Sequence, residues 1–241
     1  MTPVEFALLA LVILVAACLQ GSIGFGMGML AAPFIALVDA TLLPVLVIVL
    51  AMIVTLIVLV LDRASLDLRG AGWALAGRVP GSIVGAGLVA VMSTAVLSWA
   101  VAVVVLLGVV VSLRGWRPRV TRTTQALAGA MSGIMGTSTS VGGAPMAIVW
   151  QASEGPRLRG TMSAFFLVGS SLSLVALLLW GVVPSHALLT AAWMVPFAIA
   201  GVVLSRFVNR FLNRTRTRSL ALGASALGAV TLIIARLVGL G

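Results

Sequence analysis

Apolar residues gather into ten runs separated by short polar or glycine-rich stretches: Val4–Gly21, Gly28–Val38, Pro44–Leu61, Gly70–Met92, Ala95–Leu113, Gln125–Gly136, Gly142–Trp150, Thr161–Trp180, Ala187–Val208 and Ser219–Leu237. A helix needs about 20 apolar residues to cross a bilayer. Six runs reach spanning length, those beginning at Pro44, Gly70, Ala95, Thr161, Ala187 and Ser219. Val4–Gly21 is intermediate, and the remaining three are about half a span. None alternates apolar and polar positions as a barrel strand does. The pattern predicts an all-α integral membrane protein.

Two stretches read as breaks in helix at membrane depth. One is Gly21-Ser22-Ile23-Gly24-Phe25-Gly26-Met27-Gly28; the other is Thr137-Ser138-Thr139-Ser140-Val141-Gly142-Gly143. Glycine weakens helix and frees backbone polar groups. Shifted by 112 positions, Gly21, Gly24, Pro33 and Pro44 fall on Gly133, Gly136, Pro145 and Pro156; shifted by 116, Pro80 and Gly85 fall on Pro196 and Gly201. The chain therefore reads as two repeats, residues 1–116 and 117–241. Each opens on a broken or short helical hairpin followed by three full helices, giving five membrane segments per repeat.

Charge selects the topology. All 15 basic residues are Arg. With each broken hairpin counted as two passes, 14 of them lie on one face or lean towards it, leaving only Arg236 opposite. The positive-inside rule makes that face cytoplasmic, with both termini outside. Five segments per repeat is an odd number, so the two repeats are inverted. Within the N-terminal run, the apolar segment Phe6 to Cys18 closes on Val15-Ala16-Ala17-Cys18, a faint likeness to a lipoprotein cleavage site, but no positive charge precedes it, and the run reads as a first membrane helix.

Composition agrees and excludes other classes. The chain is 61% hydrophobic and 8% charged, where a soluble domain is about half apolar and a quarter charged. The net charge of +10 sits in inter-helix loops; that is orientation and lipid-phosphate contact, and nucleic acid is not an expected partner. One cysteine, Cys18, and one histidine, His186, placed in a loop, leave no metal cage. The carboxylates Glu5, Asp39, Asp62, Asp67 and Glu154 all map to termini or loops, so no acid remains in the spans for a proton relay or for intramembrane hydrolysis. No enzyme activity and no cofactor are expected.

Candidate chemistry gathers at the breaks. Helix N-termini near Gly28 and Gly142 expose free N–H groups and positive dipole ends, which suit an anion. Gln20, Ser22, Gly24, Gly26 and Gly28 from the first break, with Thr137, Ser138, Thr139, Ser140, Gly142 and Gly143 from the second, make the candidate substrate site. Arg78 joins it. Some eight residues into an apolar run, it either snorkels to the cytoplasmic interface, the more economical reading, or faces an anion path. Gly77, Gly81 and Gly85 read as a close-packing face. Trp73, Trp99, Trp116, Trp180 and Trp193 read as interfacial anchors, and Trp150 beside Gln151 as a weaker cavity candidate.

Gln20 to Gly28, with Pro33 and Pro44 following, resembles the first signature of the sulfite exporter TauE/SafE family, and Gly129 to Pro145 its weaker second copy. The resemblance implies a secondary permease for sulfite, sulfonates, other organosulfur anions or small carboxylates in the bacterial inner membrane. It departs from the pattern in Met27 and Met29 and in the hydroxyl-rich second motif. The expected partners are a small anion and membrane lipids, with a homodimer an allowed assembly. An anion channel or a carboxylate transporter of the same fold is the alternative.

Overall fold

A computed structural model of the chain describes residues 1–62, 68–114, 118–150, 155–211 and 214–239. Arg63, Asp67, Trp116, Arg117, Gln151 and Glu154 lie outside the described residues, as do the side chains of Arg69, Arg157 and Arg214. Regular structure among them is helical: α1 (Pro3–Ile23), α2 (Met27–Asp39), a 3-10 turn (Ala40–Leu42), α3 (Val45–Leu61), α4 (Leu68–Val91), α5 (Thr94–Arg114), α6 (Arg122–Thr139), α7 (Gly143–Val149), α8 (Gly155–Leu179), α9 (Ser185–Phe211) and α10 (Arg214–Leu237).

Six of these helices are long and apolar enough to cross a membrane, but they are not the six expected. α1 qualifies and α3 does not. A capping box of Thr2 and Glu5 starts α1 at Pro3, and the helix runs on through Gly21 and Ser22 to Ile23. Pro44 and Asp62 bound α3 at 17 residues. α6 is also longer than its apolar run. Thr121 caps its start through Thr124, and at its end Ser138 and Thr139 donate to Ile134 O and Met135 O, both at 2.7 Å, so the polar stretch stays helical.

The breaks are consequently short. The first is Gly24-Phe25-Gly26, with Gly24 and Gly26 at φ 87° and 106°, which glycine adopts without strain. The second is Ser140-Val141-Gly142, with Ser140 at φ 65°. Gly24 and Ser140 stand 116 positions apart, as do the starts of α2 and α7 and the helix-interior prolines Pro80 and Pro196. The backbone features of the opening hairpins thus correspond at 116 positions, one helical turn from the 112-position spacing of the glycines and prolines. Glycines four apart share a helix face, so matching them by identity selects the neighbouring turn.

Packing follows small residues. α4 lies along α6, and α1 along α9; α3 packs on α8 and α9, and α8 also on α4. A Cβ at Gly77 or Gly81 would overlap the carbonyl of Ala126 or Ala130, and one at Gly129 that of Ala74. The glycine series on α4 is thus a surface of close backbone approach. Gly201 on α9 meets the Leu14 carbonyl on α1 in the same manner. Helix ends bearing arginine come together: Arg159 of α8 and Arg206 of α9 both bind Asp62 beyond α3, and Arg218 of α10 donates to Ser112 O on α5.

Candidate functional site

The two breaks touch. A Cβ at Gly28 would overlap the Ser140 carbonyl, and one at Gly143 would lie 3.4 Å from the Phe25 side chain. The break residues are buried apart from Ser140, which is half-buried; burial in protein is the condition under which a membrane tolerates non-helical backbone. Each break is closed by local hydrogen bonds: Gly24 N–H to Gln20 O (2.8 Å), Ser140 N–H to Gly136 O (3.1 Å), and Met27 N–H to Gln20 Oε1 (3.2 Å).

Beside the contact lies a cavity of about 40 Å³, lined by Gln20, Gly26, Gly28, Arg78, Ser140, Gly142 and Gly143, with Met29, Gly136, Val47, Ile48 and Ala51, Phe166 and Ser170. Seven of the twelve sequence-predicted site residues converge there. Ser22, Gly24, Thr137, Ser138 and Thr139 are buried but do not line it. Ser138 and Thr139 spend their hydroxyl protons on their own helix, and Thr137 Oγ1 pairs with Ser173 Oγ at 2.7 Å. Only Ser140 brings a hydroxyl from the break to the cavity, and it donates to Pro44 O at 3.1 Å.

Arg78 does not snorkel. It is 3% exposed. Nη1 donates to Ser132 Oγ (2.5 Å) and Ser132 O (3.2 Å), while Ser132 Oγ donates on to Gly142 O (2.6 Å), joining the guanidinium to the second break. Its plane stands near the rings of Phe165 and Phe166, 5.1 and 5.6 Å from their centroids. Room for the group comes from Gly169, where a Cβ would overlap the Arg78 side chain, and from Gly136. Sequence reasoning passed over Ser132, Phe165, Phe166, Gly169 and Ser170. Gly169-Ser170-Ser171 inside an apolar run was the available signal.

A buried cation usually sits beside an acid. Here the described carboxylates are engaged elsewhere: Glu5 with Thr2, Asp39 with Thr41, Asp62 with Arg159 and Arg206. Among the residues that line the cavity, Arg78 Nε and Gln20 Nε2 are buried donors without partners. A charged donor and an amide donor beside a small polar void can bind an anion too compact to need a large pocket.

Trp150 is buried edge-on against Phe165, at 5.6 Å between centroids, and so supports the wall behind Arg78. Trp73, Trp99, Trp180 and Trp193 are exposed on the outer surface, as anchors would be. His186 falls in the first turn of α9 rather than in a loop, with Nε2 3.0 Å from Thr41 Oγ1. No group of His, Cys, Asp and Glu that could hold a metal occurs among the described residues.

No curated protein and no solved structure matches the chain significantly. The family model described as Sulfite exporter TauE/SafE does, over residues 9–232. With six membrane-capable helices and a match over nearly its full length, the chain is a multi-pass membrane protein and belongs to the sulfite exporter TauE/SafE family of membrane transporters.

Proposed function

We propose that the protein is a secondary permease that moves a compact sulfur oxyanion, sulfite or a small sulfonate, across the bacterial inner membrane by alternating access. The observation that carries this reading is Arg78, a cation buried in a membrane helix without a carboxylate partner among the described residues, beside an unpaired amide donor and a polar void. A positive charge so placed is costly unless a mobile anion or water offsets it. A cavity of about 40 Å³ holds roughly three water-sized probes, which suits a compact oxyanion more than an extended organosulfonate.

The transport unit is read as two inverted halves, meeting near residue 116, that rock about the touching breaks. Supporting this are the 116-residue correspondence of the breaks and the reciprocal packing of α4 on α6 and α1 on α9. Arginine placement supports a cytoplasmic Arg-rich face with both termini outside. Every candidate residue belongs to one chain, so each protomer of a homodimer would hold its own site.

Thermal-shift titration of the purified protein with sulfite, thiosulfate, isethionate, taurine, sulfoacetate and simple carboxylates tests the reading. Sulfite and the smallest sulfonates are expected to stabilise wild type and to leave Arg78→Gln unmoved. Stabilisation by cations or neutral solutes alone would defeat it.

A further inference from the structure

Away from the central cavity, the Arg-rich end of the molecule holds a second charged cluster. Arg159 Nε donates to Asp62 Oδ2 at 2.9 Å, and Arg206 Nη1 to Asp62 Oδ1 at 3.3 Å. Asp62 is the most enclosed of the three, its side chain 9% exposed against 18% for Arg159 and 35% for Arg206. One carboxylate thus faces two guanidiniums, and Arg206 Nη2 is buried without a partner. The cluster ties α3, α8 and α9 together.

Its position bears on the anion path. A Cβ at Gly24 would lie 3.1 Å from Arg159 Cα, and Ser205, next to Arg206, packs on Gly21. The cluster therefore adjoins the end of α1, one turn beyond Gln20 of the cavity wall. Helical spacing extends the cavity faces towards it. On α8, Ser170 and Phe166 line the cavity, and Ser163 and Arg159 follow on that face. On α3, Ala51 lines the cavity, and Thr55, Val58 and Asp62 follow. From Phe166 to Arg159 is about 10 Å of helical rise. Between them Ser163 is fully buried and its Oγ has no partner.

We propose that Arg159 and Arg206 form a second anion subsite at the Arg-rich mouth of the path, and that Asp62 is a tethered stand-in for the transported anion. This rests on the reading of the chain as an oxyanion permease. A carboxylate and a sulfur oxyanion offer a guanidinium the same pair of acceptor oxygens. In the closed arrangement Asp62 fills the subsite and draws α3 onto α8 and α9. An arriving oxyanion takes its place, frees α3 and passes by Ser163 towards Arg78. Because Asp62 competes with the cargo, the two guanidiniums do not trap it.

Sulfite flux in proteoliposomes of determined orientation tests this. In Asp62→Asn the competitor is gone. The KM for sulfite added at the Arg-rich side is expected to fall about tenfold, the worth of one charge-assisted hydrogen bond, with the KM from the other side unchanged. Arg206→Gln, at the most exposed member, is expected to raise the same one-sided KM, and it serves where Asp62→Asn does not fold. A KM unchanged on both sides in these variants, or changed equally on both with a lowered Tm, makes the cluster a structural staple and overturns the proposal. If that occurs while Arg78→Gln still abolishes flux, the permease reading survives alone. Wild type that moves no sulfite from either side removes both.

Discussion

Two junctions of similar build flank the central breaks, α4 against α6 and α8, and α9 against α1 and α3. Both bring backbones close at small residues, Gly77 and Gly129 in one, Gly201 in the other. Their side chains at positions 116 apart differ in kind. The first buries Arg78, Ser82, Ser132, Thr137 and Ser173; the second has Met194, Ala198, Ala16, Gly21 and Ile57 in those places. Gly136 leaves space for the guanidinium, and at the corresponding position Gln20 carries an amide that lines the same cavity. Helix packing is satisfied by either set, since it depends on shape and backbone approach. Among the described residues, the fully buried guanidinium lies in one junction only. A buried charge is costly, and duplicating it about one void would place two cations in mutual repulsion.

The largest effect should come from making the junctions alike. Arg78→Met installs the residue of the apolar junction. Sulfite transport is expected to fall at least about a hundredfold, from the loss of more than one charge-assisted hydrogen bond to the anion. Tm in detergent should hold or rise, because apolar replacement of a buried charge is often stabilising. Transport at wild-type rate would place the charge outside the path and dissolve the contrast.

Gly169→Ala should act through Arg78 without removing it. The new Cβ would overlap the Arg78 side chain, so the guanidinium must shift off Ser132. Flux should drop about tenfold, with at most about 1–3 kcal/mol lost in stability from overpacking. Restored flux in Gly169→Ala with Arg78→Lys, whose slimmer head needs less room, would sharpen the steric explanation. A drop in Tm without a change in flux would count against it.

The smallest effect is expected from Ser138→Ala with Thr139→Ala. Both hydroxyls bond to carbonyls of their own helix, and neither residue lines the cavity. The KM for sulfite should change by less than about twofold, because back-bonded hydroxyls add little to a helix. A tenfold rise would return this stretch to the binding site and make the second break, rather than the α4 junction, the seat of recognition.

The residues themselves explain which parts were legible beforehand. Gly24 and Gly26 announced the first break, because left-handed backbone favours glycine; in the second the left-handed residue is Ser140, and Gly142 is required by its close approach to Ser132 instead. Thr137 to Thr139 offered hydroxyls to a ligand, but in the fold Ser138 and Thr139 bond to the carbonyls four residues back and Thr137 to Ser173 on another helix, a partner the local sequence does not reveal. Arg78 was visible as an anomaly, but its direction was not. Snorkelling and burial differ only in whether neighbouring helices leave a space, and that space is made by Gly169 and Gly136 from two other helices.

By itself the sequence determined the membrane class, the ten helical segments, the family and the position of the breaks. These follow from local hydropathy, helix length and glycine backbone freedom, all properties of residues near one another in the chain. Tertiary structure decided that the breaks touch, that Ser132 carries Arg78 to Gly142, and that Asp62 closes over Arg159 and Arg206. Each is a contact between helices distant in sequence. Its existence depends on how closely two backbones approach, a quantity no single segment contains.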